Sequence, residues 1–273
     1  MNESDKIFLM EIFQPFAQYR NPFTFYYAQT YPLPPKSTII GMLQNAQNDW
    51  YGNNNGVENW WNLKVSVHGG FESVFWNYQQ LIKGDIDLIK KKDEIKLWNQ
   101  ELPLYSKNLK SQRTPVYQQE LFNGHLYIFL RGDGNFLNKI YDSLAKPTKI
   151  LYLGRSEDLV FIKDIVEIKP VAQEGQNEGL WLSYPMYIKS CNFPIKNEKF
   201  PVYSIPTKTK LMTNNNILKH KAEITSSTER AVEFTSIIYS GFDNIVYLSS
   251  RIEVEIFEYK GYKFKIPLEW GWL

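Results

Sequence analysis

Thr30-Tyr-Pro-Leu-Pro-Pro-Lys-Ser-Thr-Ile-Ile-Gly-Met-Leu43 separates a strand-like segment before it from a helix-like one after it. Pro32, Pro34 and Pro35 stop any strand, and Ser37 or Thr38 can then cap a helix. Ile39, Leu43, Ala46 and Trp50 recur at helical spacing and predict one apolar stripe, ended by the loop from Gly52 to Gly56. Upstream, Ile7 to Phe13 alternates with both faces largely apolar, which predicts a strand covered on both sides. Between strand and helix, Gln14 to Tyr31 reads as a loop dense in aromatics.

Working outward, Leu63 to Leu81 is strand material broken at Gly69-Gly70, a turn or bulge signal. From Lys83 to Gln119 the periodicity weakens, which predicts a long excursion from the fold. Leu126 to Leu130 reads as a strand, Phe136 to Leu144 as a short amphipathic helix, and Lys149 to Leu153 as a further strand. The order matches a β-α-β-β-α-β unit, so the expected class is α+β, with a ferredoxin-like, RRM-like domain over residues 1–169. Residues 170–273 form a second, smaller β-rich region of short strands, ending in a hairpin around Lys260-Gly261.

The chain has 273 residues, 43% of them hydrophobic and 16% aromatic, enough for a sizeable core. The formal charge is only +2, which neither demands nor excludes nucleic acid, since a basic patch can hide in a balanced total. Cys191 is the only cysteine, so no intramolecular disulfide forms. Its apolar surroundings predict a buried, inert thiol. The first residues lack the basic-then-apolar order of a signal peptide, and no apolar run approaches a membrane span, so the expectation is a cytoplasmic protein with no membrane partner. The Asn-rich stretches 53–55 and 214–216 read as loops. No Gly-rich phosphate loop, His/Cys metal spacing or nucleophile elbow occurs, so no cofactor and no metal is expected.

Gln18-Tyr-Arg-Asn-Pro-Phe-Thr24, together with residues 30–43, resembles the N-terminal signature of the Cas-five subunits of type I CRISPR complexes (Cascade), in the RAMP superfamily. Gln112-Arg-Thr-Pro-Val-Tyr117 and Tyr152-Leu-Gly-Arg-Ser-Glu-Asp158 follow in the order that family has, so the resemblance covers residues 5–160. The wording of the motifs is most similar to subtypes that carry a separate guide-processing enzyme. The resemblance implies a ferredoxin-like domain with a protruding thumb, here about residues 85–118, and a C-terminal β region. It implies a non-catalytic subunit of an antiviral ribonucleoprotein complex that holds the 5′ handle of the guide crRNA. The implied partners are that RNA, a many-copy backbone subunit and the large subunit, with target DNA passing near the thumb.

Several residues suit such a role. Arg20 can pair bidentately with phosphate, and Tyr19 or Phe23, flanking Asn21, can stack on an unpaired base; the bland alternative is core aromatics beside a solvated charge. Lys36, Ser37 and Thr38 stand at a helix start, which favours phosphate but is equally an ordinary cap. Gly41 permits close approach of RNA or of another backbone, or is a packing compromise. Gly154, Arg155 and Ser156 follow a strand and offer free amides. Lys107, Lys110 and Arg113 lie in the excursion with no acid between Leu102 and Gln119. Lys199, Lys208, Lys210, Lys219 and Lys221 occupy a stretch with no Asp or Glu, suited to RNA, to a neighbouring subunit, or simply to solvent.

Two other classes remain open at this point. One branch of the family cuts repeat RNA without metal, which needs a base, an acid and a cation. This chain has only His68, His125 and His220, none beside a matching lysine in the excursion. An RNA-free interaction module would instead use the aromatic loop, Trp60-Trp61 and the Trp270-Gly-Trp-Leu273 segment as interface.

Overall fold

The computed structural model describes residues 5–24, 27–83, 112–196, 200–213, 216–241 and 245–273. The mixed α+β chain is mostly strand. The first part runs β1 (Asp5–Ala17), β2 (Tyr27–Ala28), α1 (Lys36–Ala46), α2 (Val57–Asn62), β3 (Lys64–Lys83), β4 (Gln112–Asp133), α3 (Gly134–Ala145) and β5 (Phe161–Glu167). β1 pairs antiparallel with both β4 and β5, β3 pairs antiparallel with β4, and β2 runs parallel to the start of β4. The longer strands therefore lie in the order β5-β1-β4-β3.

Both faces of β1 are covered, as its composition requires. Phe8, Met10 and Ile12 pack with Ile39 and Leu43 of α1 and with Leu137 and Ile140 of α3. Ile7 and Leu9 face the other way, onto Phe129, Phe257, Phe264 and Ile266. α3 begins where Asp133 accepts a hydrogen bond from Phe136 N at 2.9 Å, a side-chain cap that fixes its entry.

The remaining strands are β6 (Ala172–Gln176), β7 (Gly179–Trp181), β8 (Tyr187–Lys189), β9 (Val202–Thr213), β10 (Asn216–Ile217) and β11 (Glu229–Tyr239), then β12 (Ile245–Tyr247), β13 (Ile252–Tyr259) and β14 (Tyr262–Pro267). The β13/β14 hairpin turns at Lys260-Gly261 and covers the second face of the main sheet. Arg131 of β4 holds Glu255 of β13 with Nη1 3.1 Å from each carboxylate oxygen. β8, β9 and β11 form another sheet, whose Tyr187, Ile205, Ile237 and Tyr239 join the core beneath α1.

Several expectations need correction. The helix stops at Ala46, and Trp50 is half-exposed in a 3-10 turn instead of extending the apolar stripe. Residues 149–153 form no strand; Tyr152 makes one isolated bridge to Leu159, and the strand lies at Phe161–Glu167. β4 starts at Gln112, and its ladder reaches Lys83, so regular pairing enters the expected excursion. Residues 84–111 of that excursion lie outside the described residues. Cys191 is exposed, because it sits in a turn just after β8 instead of continuing that strand.

β3 also runs through Gly69-Gly70 without a turn. Gly69 adopts φ +119°, and a Cβ there would lie 2.1 Å from the backbone oxygen of His125. Gly70 has open space around it. Gly69→Ala is therefore expected to lose about 3 kcal/mol in urea unfolding, whereas Gly70→Ala stays within about 0.5 kcal/mol of the parent or gains slightly.

Candidate nucleic-acid interface

The loop after β1 is closed at its neck by a buried polar corner. Gln14 Nε2 donates to Leu153 O at 2.7 Å, while its Oε1 accepts from the Tyr19 hydroxyl. Gln18 N donates to Asp158 Oδ2 at 3.0 Å, and Gln18 Nε2 reaches both Ala28 O and Gln119 O. Tyr19 N donates to Thr30 Oγ1 at 2.8 Å, and Thr30 N donates to Gln119 Oε1 at 3.0 Å. The two ends of the loop are thus tied to each other and to β4.

Arg155 completes the corner. Its backbone N and its guanidinium both donate to the fully buried Asp158, and Nη1 lies 2.7 Å from Glu120. Burial alone would lower the guanidinium's pKa; bonds and charges from Asp158 and Glu120 outweigh it and leave the pKa raised. Gly154 sits at φ +118°, where a Cβ would come within 2.6 Å of Asp158 Oδ2 and 2.9 Å of Gln18 O. Gly154 and Arg155 therefore hold protein, and Arg155 has no free fork for a phosphate. Ser156 is exposed, its Oγ donating to Glu157 at 3.1 Å.

The corner presents Arg20. Its backbone bridges Thr30, while its side chain is exposed, with no partner among the described residues. Asn21 caps the next turn by accepting from Phe23 N at 3.0 Å, which leaves Phe23 64% exposed and its ring 5.0 Å from Phe234. Tyr19 differs from expectation: its ring is core, and burial, then the Asp158 charge, push its hydroxyl well above the usual tyrosine pKa. Only Phe23 of that aromatic pair is available to a base.

At the start of α1, Pro35 occupies the capping position without a side-chain bond, so neither Ser37 nor Thr38 caps. Both are half-buried. Lys36 points inward: Nζ donates to Trp61 O at 3.2 Å and to Leu273 O at 3.1 Å. Its ammonium is consequently not offered to an external phosphate. Gly41, inside this helix, has nothing within 4 Å of where a Cβ would stand, although glycine there costs about 1 kcal/mol relative to alanine.

The basic segment is less one-sided than its sequence. Strand pairing sets Glu233 opposite Lys208, where it also ion-pairs with Lys210, and Lys219 meets Glu58 at 2.8 Å. The side chain of Lys221, which opens a 3-10 turn, lies outside the described residues, as does Lys199. Lys107 and Lys110 are likewise outside them. Arg113 pairs through its backbone with Ile82, its side chain not being described.

Sequence reasoning missed an aromatic surface on the long β3/β4 hairpin. Tyr27 of β2 lies 6.1 Å from Trp76 and 6.4 Å from Tyr117, and Tyr78 lies 5.3 Å from Tyr117. All four are about half-exposed or more. Trp76 and Tyr78, two residues apart and so on one face of a strand, were the available signal. Beside it a cleft of about 650 Å³ opens between Thr30, Phe71, Val74 and Tyr203. Of the histidines, His68 is buried, its pKa pushed down to about 3 by that burial, and it sits 3.1 Å from Ser66 Oγ. His125 packs on Phe13, and exposed His220 accepts from Ala222 N at 3.2 Å. No group of three or more His, Cys, Asp or Glu that could hold a metal ion occurs among the described residues. No helix among them is long and apolar enough to cross a membrane.

A family model described as CRISPR-associated protein (Cas_Cas5) matches residues 7–187. No curated protein matches. Among solved structures, one described as a CRISPR RNA-guided surveillance complex aligns with a TM-score of 0.48 at 12% identity, over 96% of this chain and 91% of that one. A CRISPR protein from Archaeoglobus fulgidus aligns with a TM-score of 0.40 at 11% identity, over 95% and 97% of the two chains.

Burial, followed by the charges of Lys208, Lys189 and Lys64, lowers the pKa of Lys36 to about 8. Below that pH the folded state carries a buried charge. From pH 8 toward 10.5 the unfolded chain binds more protons, so stability from this group rises with pH. Relative to Lys36→Met, the wild type is expected to gain about 2–3 kcal/mol between pH 7 and pH 10.5, read by urea unfolding of both proteins.

Proposed function

We propose, for a chain that belongs to the Cas5 family of CRISPR-associated proteins, a non-catalytic role in a CRISPR RNA-guided complex, binding the 5′ handle of the guide RNA and anchoring neighbouring subunits. The observation that carries this reading is Arg20: an exposed guanidinium, without a partner among the described residues, on a loop whose neck is locked by buried hydrogen bonds. A pre-positioned arginine loses little freedom on pairing with a phosphate. Phe23, three residues on, supplies an exposed ring for stacking.

In this reading β1, α1, β3, β4, α3 and β5 act as the ferredoxin-like, RNA-facing unit, and residues 170–273 support it. Ser156, Ser37 and the side chains of Lys208 and Lys210 border the RNA path, with the acid-paired lysines contributing less than their number suggests. Tyr27, Trp76, Tyr78 and Tyr117 supply contact area for the repeated backbone subunit or the large subunit, since half-exposed aromatics of this size are the residues that anchor interfaces. Target DNA then passes on the thumb side of the hairpin.

The test begins with the tagged protein purified from its native host and the RNA that accompanies it. The expected result is a set of RNAs sharing one repeat-derived 5′ end, together with a many-copy protein. With purified components, log affinity for that RNA should fall with log salt by about 0.7 per phosphate contacted. Arg20→Ala is expected to weaken binding about tenfold and to reduce that slope by about 0.7. Binding that ignores salt, or an Arg20→Ala protein that binds like the parent, would overturn the reading.

A further inference from the structure

α1 packs along β9, and between them lies a cavity of about 310 Å³, the size of a small-ligand pocket. Two of its aromatic walls are held in place. The Tyr51 hydroxyl donates to Leu218 O at 3.1 Å and accepts from Leu211 N at 2.8 Å, while the Trp61 indole N–H donates to Thr209 O at 3.3 Å. The two rings meet edge-on, their centroids 6.5 Å apart and their planes at 74°, so a flat ligand can lie against the partly exposed Trp61 ring.

The charge at the cavity is positive. Arg230 lines it, exposed and with no hydrogen bond or ion pair among the described residues. Lys210 Nζ stands 5.8 Å from the centroid of the Trp61 ring, but Glu233 pairs with it, so Arg230 supplies the free charge. No carboxylate is among the lining side chains.

Gly41 forms part of the wall. It lies inside a regular helix, does not have a positive φ, and would bring an added Cβ within 4 Å of nothing. Gly41 is exposed, so a side chain added there would project over the groove without meeting this chain. An indole wall, a guanidinium without a partner among the described residues and an open helix wall together suit a nucleobase with its phosphate.

We propose that this groove is a subsite for one nucleotide of bound RNA, its base against Trp61 and its phosphate toward Arg230. The inference rests on the RNA-binding reading above and adds a contact point to it. Phe234, which touches Phe23, and Arg230 lie four residues apart on β11, about 13 Å, so one RNA strand can reach both.

The test is fluorescence anisotropy of a labelled, single-stranded repeat RNA with the full chain. Gly41→Leu adds a side chain over the groove at a position where a Cβ meets nothing within 4 Å, and is expected to weaken RNA binding tenfold or more while leaving the melting temperature unchanged or higher. Arg230→Gln is expected to reduce the salt slope by about 0.7, the share of one phosphate. If both variants bind like the parent while Arg20→Ala does not, the groove is not a subsite and the RNA reading survives. If the parent chain binds no RNA, both fall together.

Discussion

The carboxylate of Asp158 is the constraint on which the rest of the candidate interface depends. Fully buried, it accepts from two backbone N–H groups, those of Gln18 and Arg155, and from the Arg155 guanidinium. Arg155 carries the connection on to Glu120 in β4. One side chain therefore joins the end of β1, the segment before β5 and the middle of β4. A buried charge of this kind contributes little net stability while its partners are in place, yet removing one partner costs about 3–5 kcal/mol, because the remaining charges are left without compensation. The arrangement favours one geometry over its alternatives more than it adds to stability. That geometry determines where the neck of the Gln18–Thr30 loop sits, and with it the position of Arg20.

Much of this was legible in the sequence. The alternation of Ile7 to Phe13 with both faces apolar reported a strand between two packing layers, and α3 and the β13/β14 hairpin fell where their patterns put them. The motif around Gln18 to Leu43 pointed to the Cas5 family, in agreement with the family match. What sequence could not show was pairing at a distance. Gly154-Arg155-Ser156 resembles an open anion-binding turn until Glu120, far away in sequence, is brought to it by β4. Lys208 and Lys210 stand in a stretch without acids, but their cross-strand neighbour is Glu233. Tyr19 and Phe23 look equivalent in sequence, and only the hydrogen bond from the Tyr19 hydroxyl to Gln14 decides which ring faces inward.

The same pairings sharpen the electrostatic picture. A net charge of +2 is spread over many lysines and arginines, and several of these are cancelled locally. What remains without an acidic partner among the described residues includes Arg20, Arg230, Lys64 and Lys189. Lys36, close to the last two, is buried and donates to the backbone oxygens of Trp61 and Leu273. A few uncancelled cations on fixed strands and turns direct an anion to particular places, which a diffuse positive surface does not.

Leu273 also exchanges backbone hydrogen bonds with Val65 at the start of β3. During synthesis Val65 leaves the ribosome long before Leu273 is made; at about 5–20 residues per second the delay is on the order of 10–40 s. For that interval the beginning of β3 has an unpaired edge, and the Lys36 ammonium lacks one of its acceptors. Slower translation between these two residues lengthens the time for which this edge is open to association with another chain.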